Sequence, residues 1–255
     1  MPYPILNPAE ALPHDKTRRS QCAMAIMAKA PRAGKVKTRL APPLTLEQSA
    51  ALNLCFLRDT AENLAAVSAG ESAAGLVCYT PVGDEAAFDD LLPQGFQMIA
   101  QRGDAFGERL LAAAEDILAC GFGAVCLIDS DSPTVPAVAF EQAIAALGRP
   151  GDRVVLGPSQ DGGYYLIGLK VAHPEVFDRI TWSTGSVLAE TLERAQDAGI
   201  EVVLLPLWYD VDDAETLSIL SAEMEGKGPV FATLPGYAAP HTRRFLTNGH
   251  GGLQG

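Results

Sequence analysis

Val125-Cys126-Leu127-Ile128-Asp129-Ser130-Asp131-Ser132-Pro133 is an apolar run that stops abruptly at two aspartates one residue apart. So short a run, preceded by Gly121 and Gly123 and closed by a proline, reads as a buried strand of a parallel sheet. Open α/β sheets bind their ligands beyond the carboxyl ends of such strands. Alternate side chains of an extended segment share a face, so Asp129 and Asp131 are expected to point at one ligand while Ser130 points away. Hard carboxylate oxygens suit Mg²⁺ or Mn²⁺, whose coordination is usually completed by substrate phosphates. The competing reading is purely structural: Asp129 ends the strand and Asp131 caps the turn before Pro133 and Pro136.

Working outward, the same alternation extends in both directions. Cys22 to Ala28 is an almost unbroken apolar run, suited to a strand buried on both faces. Thr45, with Gln48 three residues on, resembles a capping box for a helix running from Leu46 to about Val67. Strands are then expected at Leu76 to Thr80 and Gln97 to Ala100, with a short helix over Asp84 to Leu92 between them. A helix capped by Asp104 runs to about Cys120, the central strand covers Ala124 to Ile128, and the next helix runs from Pro136 to Leu147. Between Val154 and Leu169 two apolar runs are separated only by the seven residues Gly157-Pro158-Ser159-Gln160-Asp161-Gly162-Gly163. Seven residues are too few for a helical crossover, so these strands are expected to leave the parallel pattern. A helix from Ser186 to about Ala198, a strand at Val202 to Leu205 and a helix from Ala214 to Glu225 complete the series. The whole predicts a doubly wound α/β domain, Rossmann-like, with a mostly parallel sheet flanked by helices. Residues 1–20 read as a loose N-terminal extension, 21–226 as a single domain and 227–255 as a C-terminal tail.

Bulk properties narrow the function. At 255 residues the chain can bury a sizeable core without disulfides or structural metals. The five cysteines lack CxxC spacing and sit mostly in apolar runs, which predicts reduced thiols and a cytoplasmic location. The four histidines are scattered, leaving zinc chemistry without a ligand pattern. No run reaches the ~18 apolar residues of a membrane span. A formal net charge of −12 argues against nucleic acid as a partner. Yet Lys29, Arg32, Lys35, Lys37 and Arg39 cluster in a stretch with no acidic residue between Asp15 and Glu47. Such a local basic loop on an acidic protein suits a small, multiply charged anion.

Three further motifs fall at strand ends. The basic loop, Lys29 to Leu40, follows the first strand and precedes a helix, so it can offer cations and backbone N–H groups to a diphosphate; its spacing is not that of a P-loop. In Gly157 to Tyr165, adjacent Gly162 and Gly163 permit close backbone approach, and Asp161 can bond a sugar hydroxyl or act as a base. The alternative there is a plain Asp-Gly turn. In Asp210-Val211-Asp212-Asp213, Asp213 is read as the cap of the following helix and Asp212 as a second metal ligand beside Asp131. Trp182-Ser183-Thr184 offers Trp182 as a pocket wall, with Thr184 as a helix cap.

With these residues in hand, the chain resembles a bacterial family of uncharacterised GT-A-like glycosyltransferases (DUF2064-type), often described as nucleotide-diphospho-sugar transferases and related to guanylyl- and cytidylyltransferases. The matching segments are KAPRAGKVKTRL (29–40), FGER (106–109), DSDSP (129–133), GPSQDGGYYLIG (157–168), WST (182–184) and DVDD (210–213). The resemblance implies the GT-A nucleotide-diphospho-sugar transferase fold and a catalytic metal, Mg²⁺ or Mn²⁺, held by Asp131 and Asp212. It further implies that Lys29, Lys37, Arg39 and Asp129 face the nucleotide diphosphate. Asp161, Gly162, Gly163 and Trp182 face the sugar or a small-molecule acceptor. Asp131, Asp161 and Lys37 are the candidate catalytic residues. The expected activity is metal-dependent glycosyl transfer from a nucleotide-diphospho-sugar. The chain departs from sugar-nucleotide pyrophosphorylases in lacking their glycine-rich first loop, having only Gly34 there. Lys37-Thr38-Arg39-Leu40 nevertheless resembles the KSRL of guanylyltransferases, so the alternative is transfer of a nucleotidyl group from a nucleoside triphosphate to a phosphorylated small molecule. A catalytically silent nucleotide-binding scaffold is the third possibility.

Overall fold

Strand β1 (Cys22–Lys29) alternates its side chains between two apolar layers: Cys22, Met24, Ile26 and Ala28 pack into one, Ala23 and Ala25 into the other. That double burial is why the run has no polar face, and it goes with an interior position in a seven-stranded sheet, between β2 and β4. The computed structural model describes residues 3–10 and 16–248. After β1 come α2 (Leu46–Val67), β2 (Ala73–Thr80), β3 (Gln97–Ala100), α3 (Phe106–Ala119), β4 (Ala124–Ile128) and α4 (Ala137–Gly148). The chain continues through β5 (Arg153–Pro158), β6 (Tyr164–Leu169), α5 (Val187–Asp197), β7 (Glu201–Leu204), α6 (Ala214–Met224) and α7 (Pro240–Thr247). A four-residue helix, α1 (Lys16–Arg19), precedes β1.

The strand order is β3-β2-β1-β4-β6-β5-β7. All neighbours pair in parallel except β6, which runs antiparallel to both β4 and β5. The expected departure from the parallel pattern is thus a β5–β6 hairpin that carries the glycine loop at its tip. From β1 the chain winds outward through β2 and β3, then returns to place β4 on the other side of β1. The strand order therefore reverses between β1 and β4, and a crevice opens beyond their carboxyl ends. The basic loop leaves β1 there, and the Asp129 to Pro133 turn leaves β4.

Local signals account for most element ends. Thr45 and Gln48 form the reciprocal capping box at the start of α2. Asp213 caps α6 by accepting from Thr216 N. Three expectations are corrected. Asp104 does not cap α3; instead Glu108 reaches back to accept from the N–H groups of Asp104 and Ala105. The helix expected over Asp84 to Leu92 is only a 3₁₀ turn, Glu85–Phe88, because Glu85 turns back to accept from Tyr79 and Gly83, and Asp90 takes a left-handed φ of 58°. Thr184 does not cap α5: Ser186 holds the N-cap position, and Thr184 bonds back to the Thr181 carbonyl.

Neither terminal segment is loose where described. Leu6 N donates to Met98 O and Met98 N to Pro4 O, extending the sheet beyond β3, while the Tyr3 hydroxyl bonds Leu92 O. At the other end α7 packs on α2. The fully buried Asp59 of α2 accepts from the N–H groups of His241 and Thr242 at 3.0 and 2.8 Å, supplying the helix cap that the α7 sequence lacks. His241 Nε2 bonds Glu62 at 2.8 Å. Asp59, Glu62 and His241 also bring ligand atoms within 4.8 Å of one another. Those mutual and backbone bonds account for the cluster as a tether between helices. The expected tail beyond Asn248 lies outside the described residues.

Replacing Asp59 by alanine orphans two helix N-terminal donors. Urea denaturation of Asp59→Ala is expected to show a loss of about 1–2 kcal/mol, with hydrogen exchange of the α7 amides accelerating beyond that of the sheet.

Candidate active site

At the crevice beyond β1 and β4, one ammonium group joins the three loops that carry the motifs. Lys37 Nζ lies 2.8 Å from Asp131 Oδ1, 2.7 Å from Asp212 Oδ1 and 2.8 Å from the Val211 carbonyl, and its side chain is only 4 % exposed. The Phe56 ring lies beneath it, 5.9 Å away. Burial by itself would lower the Lys37 pKa, but the adjacent Asp131 and Asp212 carboxylates prevail and hold it above the ordinary lysine value. Burial likewise pushes Asp212 up, and Lys37 together with Arg39, which also bonds it, brings it below the usual carboxylate range. Lys37 has a left-handed backbone, φ 48°, which a non-glycine residue adopts only at a cost in strain. Its three acceptors hold it there.

Asp212 reaches Asp131 because the segment between β7 and α6 is pinned along its length. Tyr165 donates to Pro206 O, Trp208 pairs its backbone with Pro158 and Gln160, and its indole N–H donates to Thr134. Tyr209 donates to Glu223, and Val211 N donates to Asp131 O at 2.9 Å. Three large buried side chains, Tyr165, Trp208 and Tyr209, and the backbone bonds of Trp208 and Val211 thus set the separation of two carboxylates.

Asp129 behaves differently from the expectation. Its carboxylate turns back on its own loop, accepting from Asp131 N, Ser132 N and the Ser132 hydroxyl. Burial, with the nearby Asp131 and Asp210 charges, raises its pKa well above the carboxylate range. The strand ends at Ile128, so the alternation that would have aimed Asp129 and Asp131 at one ligand no longer applies. Ser130 does not point away; it donates to Asp131 Oδ1.

The glycine loop closes the other side. Asp161 Oδ1 accepts from Gly163 N, forming an Asx turn, and Gly162 has φ 88°. A Cβ on Gly162 would lie 2.1 Å from Gly185 O, so the loop meets the Trp182 to Ser186 segment backbone to backbone. Trp182 packs edge-on against Phe106, with ring centroids 5.3 Å apart, and against Tyr164 at 6.5 Å. Gly107 makes room for the indole, since a Cβ there would fall 2.4 Å from Nε1.

Two cavities of about 240 Å³ each meet at the Asp131–Asp212 pair. One is lined by Lys29, Lys35, Lys37 and Arg39. The other is lined by Phe106, Tyr164 and Trp182 together with Asp129, Asp131, Asp161, Asp210 and Asp212. Of the expected site residues, Lys29, Lys37, Arg39, Asp131 and Asp212 therefore face the first cavity, while Asp161, Gly163 and Trp182 face the second. Gly162 shapes the loop without lining the cavity. Arg32 turns away to pair with Asp84. Sequence reasoning gave no role to Asp210, Ser159 or Phe106. Asp210 accepts from Ser159 at 3.0 Å, and burial with the neighbouring Asp161 and Asp212 charges pushes its pKa up to about 6. The DVDD and FGER motifs contained two of these residues, but nothing in their spacing showed which side chains turn inward.

The all-oxygen set of Asp131, Asp212 and the Val211 carbonyl already surrounds a positive charge, and its donors are the hard type that suits Mg²⁺ or Mn²⁺. The residues fit a divalent ion in donor chemistry, with the Lys37 ammonium standing in its place.

A sheet that reverses at a crevice lined by cations and paired aspartates defines a nucleotide-diphospho-sugar transferase fold. Residues 63–184, which include the segments at 106–109, 129–133, 157–168 and 182–184, match the family described as an uncharacterised protein conserved in bacteria, DUF2064. A crystal structure of a provisionally named nucleotide-diphospho-sugar transferase from Desulfovibrio desulfuricans G20 superposes with a TM-score of 0.75 at 29 % identity, over 90 % of this chain and 95 % of that one. The fold is shared more distantly with 4-diphosphocytidyl-2C-methyl-D-erythritol synthase from Anaerococcus prevotii DSM 20548, with a TM-score of 0.51 at 11 % identity over 83 % of this chain and 99 % of that one. It is also shared with CMP:2-keto-3-deoxy-manno-octonic acid synthetase complexed with CTP, with a TM-score of 0.52 at 14 % identity over 82 % of this chain and all (100 %) of that one. No curated protein matches the chain.

Gly162→Ala would combine a positive φ with a backbone collision against Gly185. Its thermal unfolding is expected to reveal a loss of about 2 kcal/mol or more, with Trp182 fluorescence shifting as its segment is displaced.

Proposed function

We propose that this chain is a metal-dependent glycosyltransferase that uses a nucleotide-diphospho-sugar donor. The observation that carries the reading is the Lys37 ammonium buried between Asp131 and Asp212, with a cationic cavity on one side and an aromatic one on the other. The likeness to the Desulfovibrio structure, at 29 % identity over nearly the whole chain, supports it. In this reading Lys29, Lys37 and Arg39 hold the diphosphate, and Asp131 and Asp212 hold Mg²⁺ or Mn²⁺. When bound, the ion neutralises the diphosphate as it leaves the sugar carbon, a contribution of several kcal/mol to transition-state stabilisation. Lys37, which also lines the cationic cavity, contributes its positive charge to the diphosphate. Trp182 and Asp161 orient the sugar, and the aromatic wall keeps water from its reacting carbon. Asp129 holds the turn that presents Asp131 and does not itself meet the diphosphate.

Nucleotidyl transfer from a triphosphate to a phosphorylated acceptor would use the same cations and metal ligands, and the Lys37-Thr38-Arg39-Leu40 segment favours keeping it as the second reading. Ligand-dependent unfolding separates the two. With Mn²⁺ present, a nucleoside diphosphate and its sugar conjugate at ~100 times their dissociation constants should add ~2.7 kcal/mol, or roughly 5–10 °C. Stabilisation by triphosphates alone, with pyrophosphate release, would transfer the assignment to nucleotidyl transfer. Asp131→Ala and Asp212→Ala are expected to abolish the manganese-dependent part of the shift.

Lys37→Met gives a prediction of opposite sign for metal and nucleotide. With its ammonium gone, the Asp131 and Asp212 carboxylates are left without their main counter-charge. Spectroscopic titration is expected to show Mn²⁺ binding at least about tenfold tighter than in the wild type when no nucleotide is present, while diphosphate binding weakens.

A further inference from the structure

The two cavities that share Asp131 and Asp212 carry opposite chemistry. Lys29, Lys35, Lys37 and Arg39 all line one of them. Among the described residues no lysine, arginine or histidine lines the other; its polar lining is five aspartates with Ser159, Ser183 and Thr184, and its walls are Phe106, Tyr164 and Trp182. The nearest cation along that wall, Arg109, stacks on Phe106 with its guanidinium 5.6 Å from the ring centre and donates to Asp104 O, so it does not line the cavity. Lys37 and Arg39 both engage Asp212, and Lys37 engages Asp131, whereas Asp161 and Asp210 have no basic partner among the described residues.

Each class of ligand group meets a different response there. A phosphate or carboxylate in the aromatic cavity would face Asp161 and Asp210, neither of which is paired with a described basic residue, an arrangement that rejects a ligand by like charge. Hydroxyl groups, by contrast, find carboxylate acceptors, and the apolar face of a sugar ring finds aromatic side chains held edge to face. We infer that the aromatic cavity is built for a hydroxyl-rich group without negative charge, an unphosphorylated and uncarboxylated sugar, and that Asp161 and Asp210 are the residues that exclude anionic substrates. The inference rests on the transferase reading for the identity of the neighbouring diphosphate, and it adds the class of sugar. It also disfavours a phosphorylated acceptor, which would need a second cationic pocket.

The test uses the full chain in two stages. The nucleoside diphosphate panel with Mn²⁺ first identifies the base, and its failure would count against the transferase reading alone. Calorimetry then compares the nucleotide-diphospho-hexose with the matching nucleotide-diphospho-uronate, which differs by a carboxylate at C6. The hexose conjugate is expected to bind at least about tenfold more tightly, and Asp161→Lys to narrow or reverse that ratio. A ratio is the readout because a general loss of fold would weaken both ligands alike. Equal or tighter binding of the uronate by the wild type overturns the inference. If no nucleotide binds, Trp182 fluorescence, taken as the difference between the wild type and Trp182→Phe, is titrated with methyl glucoside and with glucose 6-phosphate. A response to the glycoside alone supports the inference; a response to the phosphate ester, or to neither probe, overturns it.

Discussion

A lysine ammonium buried between two carboxylates is the constraint on which the rest of the crevice depends. Taking Lys37 almost wholly out of water is costly, and Asp131, Asp212 and the Val211 carbonyl restore the lost hydration with three short bonds. The same bonds hold Lys37 in a left-handed conformation and so fix the course of the basic loop after β1. Removing Lys37 would leave two neighbouring carboxylates without their shared counter-charge at the junction of three loops. The arrangement therefore acts as both a structural clasp and a site already shaped around a cation.

Positioning of that clasp comes from the sheet. Because the strand order reverses between β1 and β4, their following loops diverge and leave a crevice that neither helix layer fills. The β5–β6 hairpin and the segment after β7 approach the crevice from the β4 side, the latter fixed by the Val211–Asp131 backbone bond. The result is a division of charge at short range. Four basic side chains gather on one side of the shared aspartates, and an acidic, aromatic cavity lies on the other. On a chain with a net charge of −12, this local basic patch is the surface feature that suits a polyphosphate.

Where sequence reasoning went astray, the cause is local and identifiable. Asp129 was expected to share a ligand with Asp131 because they are two residues apart, but that argument holds only while the chain stays extended. Ser132 and the following proline turn it, and an aspartate at the start of such a turn bonds its own backbone. Asp104 was a good cap by residue type, yet Glu108 was placed to reach back and take the same donors. Residues 3–10 were read as part of a loose extension and α7 as part of a tail, and their order comes from distant partners: Met98 for the former, Asp59 for the latter.

By itself the sequence determined the α/β class, the order of most strands and helices, the antiparallel departure at Gly157 to Gly163 and the loops that carry the chemistry. These follow from periodicity, capping and turn residues, which act over a few positions and are written in neighbouring letters. Only the tertiary structure decided that Lys37, Asp131 and Asp212 form one cluster, that Asp129 faces inward, that Asp210 and Phe106 line the second cavity and that α7 docks on α2. Those outcomes depend on contacts between residues as far as 183 positions apart, as with Asp59 and Thr242. Such contacts are fixed by the strand order and by which side chains the packing turns inward, neither of which any single stretch encodes.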